Sequence, residues 1–401
     1  MNGSAPDPYA ASPKLAALSP DELAQLMKRY EAGEKAPALI KEFGLRIAAS
    51  ELVMCFPPLV HPDHVCPYCG IPMVSRRPSQ TQPSFYSHIL PVFCPQCHHW
   101  DFDDCQCEHC QNIRENKLRQ EEARKRRLIR KTFPFPDDNP RELSSLSLRE
   151  RVLLGALLRT GLTGDYSRIK PLCEQKIKLS PREVYDSEIV DSLCRTGVIA
   201  IHPKSPIAAF TGDANDLFPR LFYPNRVSYY VNIRARFGSK DLLEFLIQPP
   251  KRAFDSCLTF ERHELWKEIA FEECMEYLIY RLSLVNFPFA AGERTRSVFL
   301  DLLDHFATAQ IFCFIGTAIG NAVARARGKT LSKKLAANSV VTDCQRQGVD
   351  ALANHGDVAT YPRDCKCPQS TLSSFFYDQV LKIGDRGLDF CPHQFWESKQ
   401  Q

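Results

Sequence analysis

Cys66 and Cys69 are followed by Cys94 and Cys97, a C-x2-C-x24-C-x2-C spacing. Each pair can present two thiolates from one tight turn, and two such turns complete a tetrahedral S4 shell around zinc. Whatever the rest of the chain does, these two turns must face each other, which makes 66–97 one closed module. Cys105, Cys107 and Cys110 come directly afterwards, with His98, His99 and His109 close by. Three thiolates need a fourth ligand. His109 abuts Cys110 and would strain a chelate, so His99 or His98 is expected to complete a second site. A different pairing also has metal-site spacing: Cys94, Cys97, Cys107 and Cys110 as one group, with His61, His64, Cys66 and Cys69 as the other. It leaves Cys105 without a role and ranks second, but spacing does not decide between the two. The expected cofactor is one zinc ion, with room for a second.

The 17 cysteines are an odd number and cluster as C-x-x-C pairs, unlike an even, spread disulfide framework. That pattern points to a reducing compartment, and cytoplasmic is the expected location. The first residues show no basic start followed by an apolar block, so no leader peptide is expected. Each C-x2-C turn contains a proline, Gly70 follows the first where such a turn needs positive φ, and 84–93, "SFYSHILPVF", reads as strands. These residues resemble a zinc ribbon, and the resemblance implies structural metal. Cys365, Cys367, Cys391 and His393 offer a weaker C-x-C/C-x-H set, for which buried or free thiols are the simpler reading.

No catalytic constellation is legible. A closed thiolate shell leaves zinc no position for water. The deaminase signature lacks its H-x-E. After His263-Glu264, Lys267 stands where a zincin needs its second His, and Val323 replaces the upstream glycine of a phosphate loop at Gly328-Lys329-Thr330. The expectation leans away from an enzyme.

Charge is unevenly placed. Residues 112–131 hold nine Lys/Arg against three Glu, whereas the remainder has 42 basic and 44 acidic residues. The segment has no Gly or Pro and only a thin apolar stripe, so it reads as a helix, either solvated or contacting phosphate. The candidate nucleic-acid contacts are Arg119, Arg124, Lys125, Arg126, Arg127, Arg130 and Lys131, with Arg46 from the N-terminal region. The expected partner is nucleic acid, DNA before RNA. A protein partner on the C-terminal helical domain is the alternative.

The rest organises around helix starts. Ser19-Pro20-Asp21-Glu22 is a capping box, followed by expected helices to Glu31, over Ala36–Phe43 and over Ala48–Cys55, with Gly33 and Gly44 as breaks. "RYEAGEKAPALIKEFGL" resembles the helix-turn-helix of DNA invertases and transposases through Tyr30, Gly33, Leu39, Phe43, Gly44 and Leu45. The third helix is mostly apolar, which suits packing better than base reading. Helices from Ser147, over Tyr166–Cys173 and from Ser180, then strands 198–202 and 227–233, resemble a winged helix with 181–196 in the recognition position. Arg182, Arg195 and Lys204 are its cations, with ordinary surface charge as the simpler reading.

Residues 306–324 carry no charge and could just span a bilayer. Thr308, Gln310, Thr317 and Asn321 favour instead a buried helix packed through Gly316 and Gly320, so no membrane partner is expected. The expected fold is therefore mainly α and multidomain: a flexible N-terminus (1–18), a helix-turn-helix-like region (19–58), a zinc-binding domain (59–111), a basic helix and linker (112–140), a winged-helix-like α/β domain (141–236) and a helical domain (237–401).

Overall fold

A computed structural model describes residues 7–80, 91–134, 139–212, 217–234, 238–328, 332–354 and 357–397. The chain divides into two compact units, Met1–Arg124 and Lys125–Gln401. The protein is mainly α, and its strands are short pairs.

In the first unit α1 (Pro20–Glu31) opens on the expected capping box, in which Ser19 and Glu22 each bond the other's backbone N–H. Gly33 and Gly44, at φ 92° and 63°, bracket α2 (Ala36–Glu42). The third helix is much shorter than expected. The N–H of Glu51 turns back to the Ala48 carbonyl (2.9 Å), leaving only α3 (Leu52–Cys55) before Pro57. Leu52, Val53 and Cys55 face inward beside Leu26 and Leu39. One buried turn cannot enter a major groove and present side chains to bases. Arg46 is exposed in the bend before it.

The strands β1 (Leu59–Val65) and β2 (Pro72–Ser75) pair antiparallel, and Phe93 bridges Val74 on one side and Trp100 on the other. Most of the expected strand region 84–93 lies outside the described residues. The helix α4 (Glu108–Thr132) covers the basic segment, and the division between units falls within it.

The second unit has one continuous core. The strand β3 (Arg141–Glu142) precedes α5 (Leu148–Gly161), which starts on the expected Ser147/Glu150 capping box. Over Tyr166–Cys173 no α-helix forms, and a single 3-10 turn, Leu172–Glu174, starts at its end. Asp165 accepts the N–H and hydroxyl of Ser167, Tyr166 sits at φ 59°, and Ile169 bridges Leu162 and Tyr229 as extended chain. Next come α6 (Glu183–Arg195), β4 (Ile199–Ile201), β5 (Phe210–Thr211), β6 (Leu221–Phe222), β7 (Tyr229–Val231) and β8 (Ile233–Arg234). β4 pairs with β7 and β5 with β6, both antiparallel, and β3 with β8 in parallel. The outward side of α6 carries Glu183, Glu188 and Asp191 beside Arg195, an acidic face.

The helices α7 (Ser239–Ile247), α8 (Thr259–Leu284), α9 (Glu293–Leu303), α10 (Thr308–Arg327), α11 (Lys333–Ala353), α12 (Thr371–Phe375) and α13 (Pro392–Glu397) complete the unit. The expected boundary at 236/237 runs through this core. α8 presents Glu268, Glu272 and Glu276 at i, i+4, i+8, and these meet Arg149, Arg182 and Lys178 from the preceding segment. Arg182 is thereby held by a buried carboxylate, away from any phosphate.

Among the described residues only α10 is long and apolar enough to cross a membrane. Its Ile311, Phe312, Phe314, Ile315, Ala318, Ile319 and Ala322 are buried in the unit's core. A Cβ at Gly316 would lie 2.8 Å from the Tyr361 ring, so that glycine does permit close packing, whereas Gly320 has no neighbour within 4 Å. Cys367 and Cys391 are buried and Cys365 is exposed, and they form no metal-type group among the described residues.

Candidate metal centre

The chain builds the same turn twice. The N–H of Gly70 bonds to the Cys66 carbonyl (3.0 Å) and that of Cys66 to Ile71 (2.9 Å). Likewise the N–H of His98 bonds to Cys94 (2.9 Å) and that of Cys94 to His99 (2.7 Å). Gly70 and His98 stand at matching positions, with φ of 68° and 58°. Histidine is among the few side chains that tolerate this region, so His98 does a turn's work.

These turns gather Cys66, Cys69, Cys94 and Cys97 into one group, and His99, Cys105, Cys107 and Cys110 into another. Within each, the ligand atoms lie within 4.8 Å of one another. Zn–S bonds of about 2.3 Å place sulfurs about 3.8 Å apart along a tetrahedron's edges, and sulfur from imidazole nitrogen about 3.5 Å. Cys66 Sγ lies 3.7 Å from Cys97 Sγ. His99 Nδ1 lies 3.4, 3.8 and 3.4 Å from the sulfurs of Cys105, Cys107 and Cys110. Both groups are at metal-binding distance, and one or two zinc ions fit them.

The alternative pairing does not form. His61 Nε2 meets the Ser75 hydroxyl at 2.8 Å, and His64 lies beside Asp101.

The second group is supported from outside. Asp101 Oδ1 sits 3.3 Å from His99 Nε2, which places the ring proton there and leaves Nδ1 for metal. Tyr68 lies between Cys66 and Cys69 in sequence, yet its hydroxyl is 3.3 Å from Cys110 Sγ and its ring stands edge-on to His99. It therefore couples the two groups. Arg114 of α4 donates to the carbonyls of Asp103 and Cys105, tying the helix to the ligand loop. Sequence reasoning misses both Asp101 and Tyr68. An acid two residues after a ligand histidine is the available signal for Asp101.

Electrostatics explain why these sulfurs need a cation. Burial pushes the Cys94 thiol up, but the N–H groups of Cys97 and Gln96 reverse this and leave it below the ordinary value. Burial also pushes Cys105 up, yet the N–H groups of Trp100 and Cys107 and the His99 ring bring it down to about 7. Burial and neighbouring sulfurs push Cys107 up to about 11, and Cys97 is raised further still. Each group thus sets one sulfur inclined to ionise beside another that resists it, Cys94 beside Cys97 and Cys105 beside Cys107, until a metal supplies positive charge.

Mutation separates the two histidines. His99→Ala is expected to lose one zinc equivalent by elemental analysis, and His98→Gly to keep full occupancy because it supplies a residue at ease at positive φ. Equal zinc loss in the two variants would contradict these roles.

The candidate cations do not share one environment. Arg119 pairs with Glu115 and Arg124 with Glu121 in the first unit. In the second, Lys125 lies over the Phe218 ring and Arg126 donates to the Ser205 carbonyl (2.6 Å). Arg127, Arg130 and Lys131 are exposed, with no ion pair or hydrogen bond from their side chains among the described residues. A search of protein families, curated proteins and solved structures finds no match to the chain. The two sites define it as a zinc-binding protein by their geometry alone.

Proposed function

We propose that this protein binds nucleic acid, DNA in the first place, as a regulator or accessory factor of mobile-element or defence type, with zinc in a purely structural role. A cytoplasmic location belongs to the same reading. The observation that carries it is where the positive charge falls. The zinc-bearing unit holds 12 basic and 15 acidic residues, and the second unit holds 39 basic and 32 acidic. Residues 125–131 supply five of those cations and no acid. Arg127 and Lys131, exposed and unpaired, are the phosphate contacts of this reading. The acidic face of α6 and the buried α3 argue against base reading by either helix. Backbone contact without strong sequence preference is therefore the mode proposed.

The test is fluorescence anisotropy with labelled duplex DNA and RNA across a salt series, with zinc content determined alongside. Arg127→Ala/Lys131→Ala is expected to weaken binding and to flatten the log–log salt slope by about 2, at about 0.9 for each phosphate no longer neutralised. Zinc-replete wild type that binds neither nucleic acid would end this reading. One observation favours an adaptor instead. Among the described residues β1 pairs with β2 alone and exposes Leu59, Val60 and Val65, with Met54 also exposed, which would suit a protein partner adding a strand. Salt-insensitive, weak nucleic-acid binding would favour it.

A further inference from the structure

The second unit contains a cleft of about 730 Å³ whose lining includes Arg130, Arg168, Lys204, His202, Tyr166 and Tyr230. Among the described residues no acidic side chain lines it. The size is that of a small-molecule site.

Its cations are fixed in place by the fold. Arg168 ends a tight loop in which the N–H and hydroxyl of Thr163 both bond to the Arg168 carbonyl (2.9 Å each). Lys204 lies in the turn from His202 to Ser205. There the Ser205 hydroxyl donates to the His202 carbonyl (2.6 Å) and accepts the N–H of Ser228 (3.0 Å). Arg126 grips the same turn through the Ser205 carbonyl, and Ile129 is fully buried, so α4 is seated with Arg130 at the cleft. Arg126 is therefore a positioning residue for Arg130.

None of the three cationic side chains has an ion pair or hydrogen bond among the described residues. Two acids beside the described lining have partners of their own. Asp165 accepts from Ser167, and Glu244 faces the Tyr166 hydroxyl and Lys240. His202 accepts the Lys204 N–H at Nδ1 (3.1 Å), so its neutral ring carries the proton on Nε2 as a donor. Burial, then the charges on Arg168 and Lys204, lower its basicity, with the charge on Asp165 opposing them.

Three cations lining one cleft with no acid among its described lining favour an anion, and Arg and Lys suit phosphate. Tyr166, half-buried in the lining with Lys240 over its ring at 5.4 Å, adds aromatic surface beside them. We infer that this cleft binds a nucleotide unit, with phosphate held by Arg168, Lys204 and Arg130 and the base against the tyrosine-lined wall. The unit can come from a free mononucleotide or from a nucleic-acid strand. This goes beyond the surface contacts proposed above and shares no tested residue with them.

The experiment uses full-length, zinc-loaded protein and three probes: AMP, adenosine and a labelled single-stranded oligonucleotide. Calorimetry and anisotropy are run on wild type, Arg168→Gln/Lys204→Gln and Arg127→Ala/Lys131→Ala, with thermal melting as a folding check. The expected result is AMP binding that falls about tenfold or more in Arg168→Gln/Lys204→Gln, is unchanged in Arg127→Ala/Lys131→Ala, and exceeds adenosine binding by a similar factor. If only the oligonucleotide binds and the cleft variant weakens it by that factor, the strand is the source and the inference holds. Arg168→Lys, which keeps the charge, should retain most of the binding. Affinities for AMP and oligonucleotide that do not change in a folded cleft variant would overturn the inference, as would adenosine binding as tight as AMP. An effect of Arg127→Ala/Lys131→Ala alone on the strand would uphold the surface reading and reject the cleft.

Discussion

Cys94→Ala is expected to cost the protein one zinc equivalent and the folded state of the segment that its metal group closes. Cys94 is fully buried, and among the described residues the cluster around it has, apart from its sulfurs, only Met73 fully buried, with Tyr68, Ile71 and Val92 half-buried beside it. Such a cluster cannot offset the ordering of some forty residues, each costing about 1–2 kcal/mol of backbone entropy. A structural zinc contributes about 10–16 kcal/mol in small modules, comparable to the whole stability of a typical domain. Removing one sulfur should therefore unfold β1, β2 and the Cys94–Cys97 turn. The α1–α3 bundle has a separate core around Leu26, Leu39 and Leu52 and should stay helical. Hydrogen exchange would show protection lost over 59–75 and 91–97 and kept over 20–42. Elemental analysis would show one zinc equivalent fewer. A variant with unchanged zinc, or with β1 still protected, would contradict the structural role.

How far this could be read in advance depends on sequence distance. The metal ligands were legible because C-x2-C turns are short-range objects, and the capping boxes at Ser19 and Ser147 because a cap needs four residues. The length of α3 was not legible, since it is set by which side chains the bundle buries. The expected 166–173 helix failed because Ile169 is extended between Leu162 and Tyr229, and Tyr229 lies far along the chain. The basic segment was visible as charge, but its sorting was hidden. Arg126 finds its partner 79 residues away, while Arg127 finds none among the described residues. The same holds for Arg182, which looked like a surface cation until Glu272 was placed against it.

Arg363→Ala is expected to destabilise the second unit by about 3–5 kcal/mol, the cost of leaving a buried charge without its partner. The Glu273 side chain is wholly buried, and its carboxylate meets Arg363 Nη2 (2.6 Å) and accepts the Tyr377 hydroxyl proton (2.8 Å). Burial, then the charge on Glu273, hold the Tyr377 phenol well above its ordinary pKa, so it remains a donor throughout the working range. One hydroxyl does not replace a guanidinium, and the Glu273 side chain itself has no exposed surface. Glu273→Gln/Arg363→Met removes both charges and leaves Tyr377 a partner, so it should recover most of the loss. Lys382→Ala breaks a pair with Asp255 in which both side chains are about half exposed, and should cost under about 1 kcal/mol. Urea unfolding of the three variants, followed by tryptophan fluorescence from buried Trp266, reads all of this directly. An Arg363→Ala loss no larger than that of Lys382→Ala would mean that the α8 carboxylates are not held as buried ions. Arg149, Lys178 and Arg182 would then return to the pool of cations free to meet phosphate, and the nucleic-acid surface would have to be drawn more widely than Arg127 and Lys131.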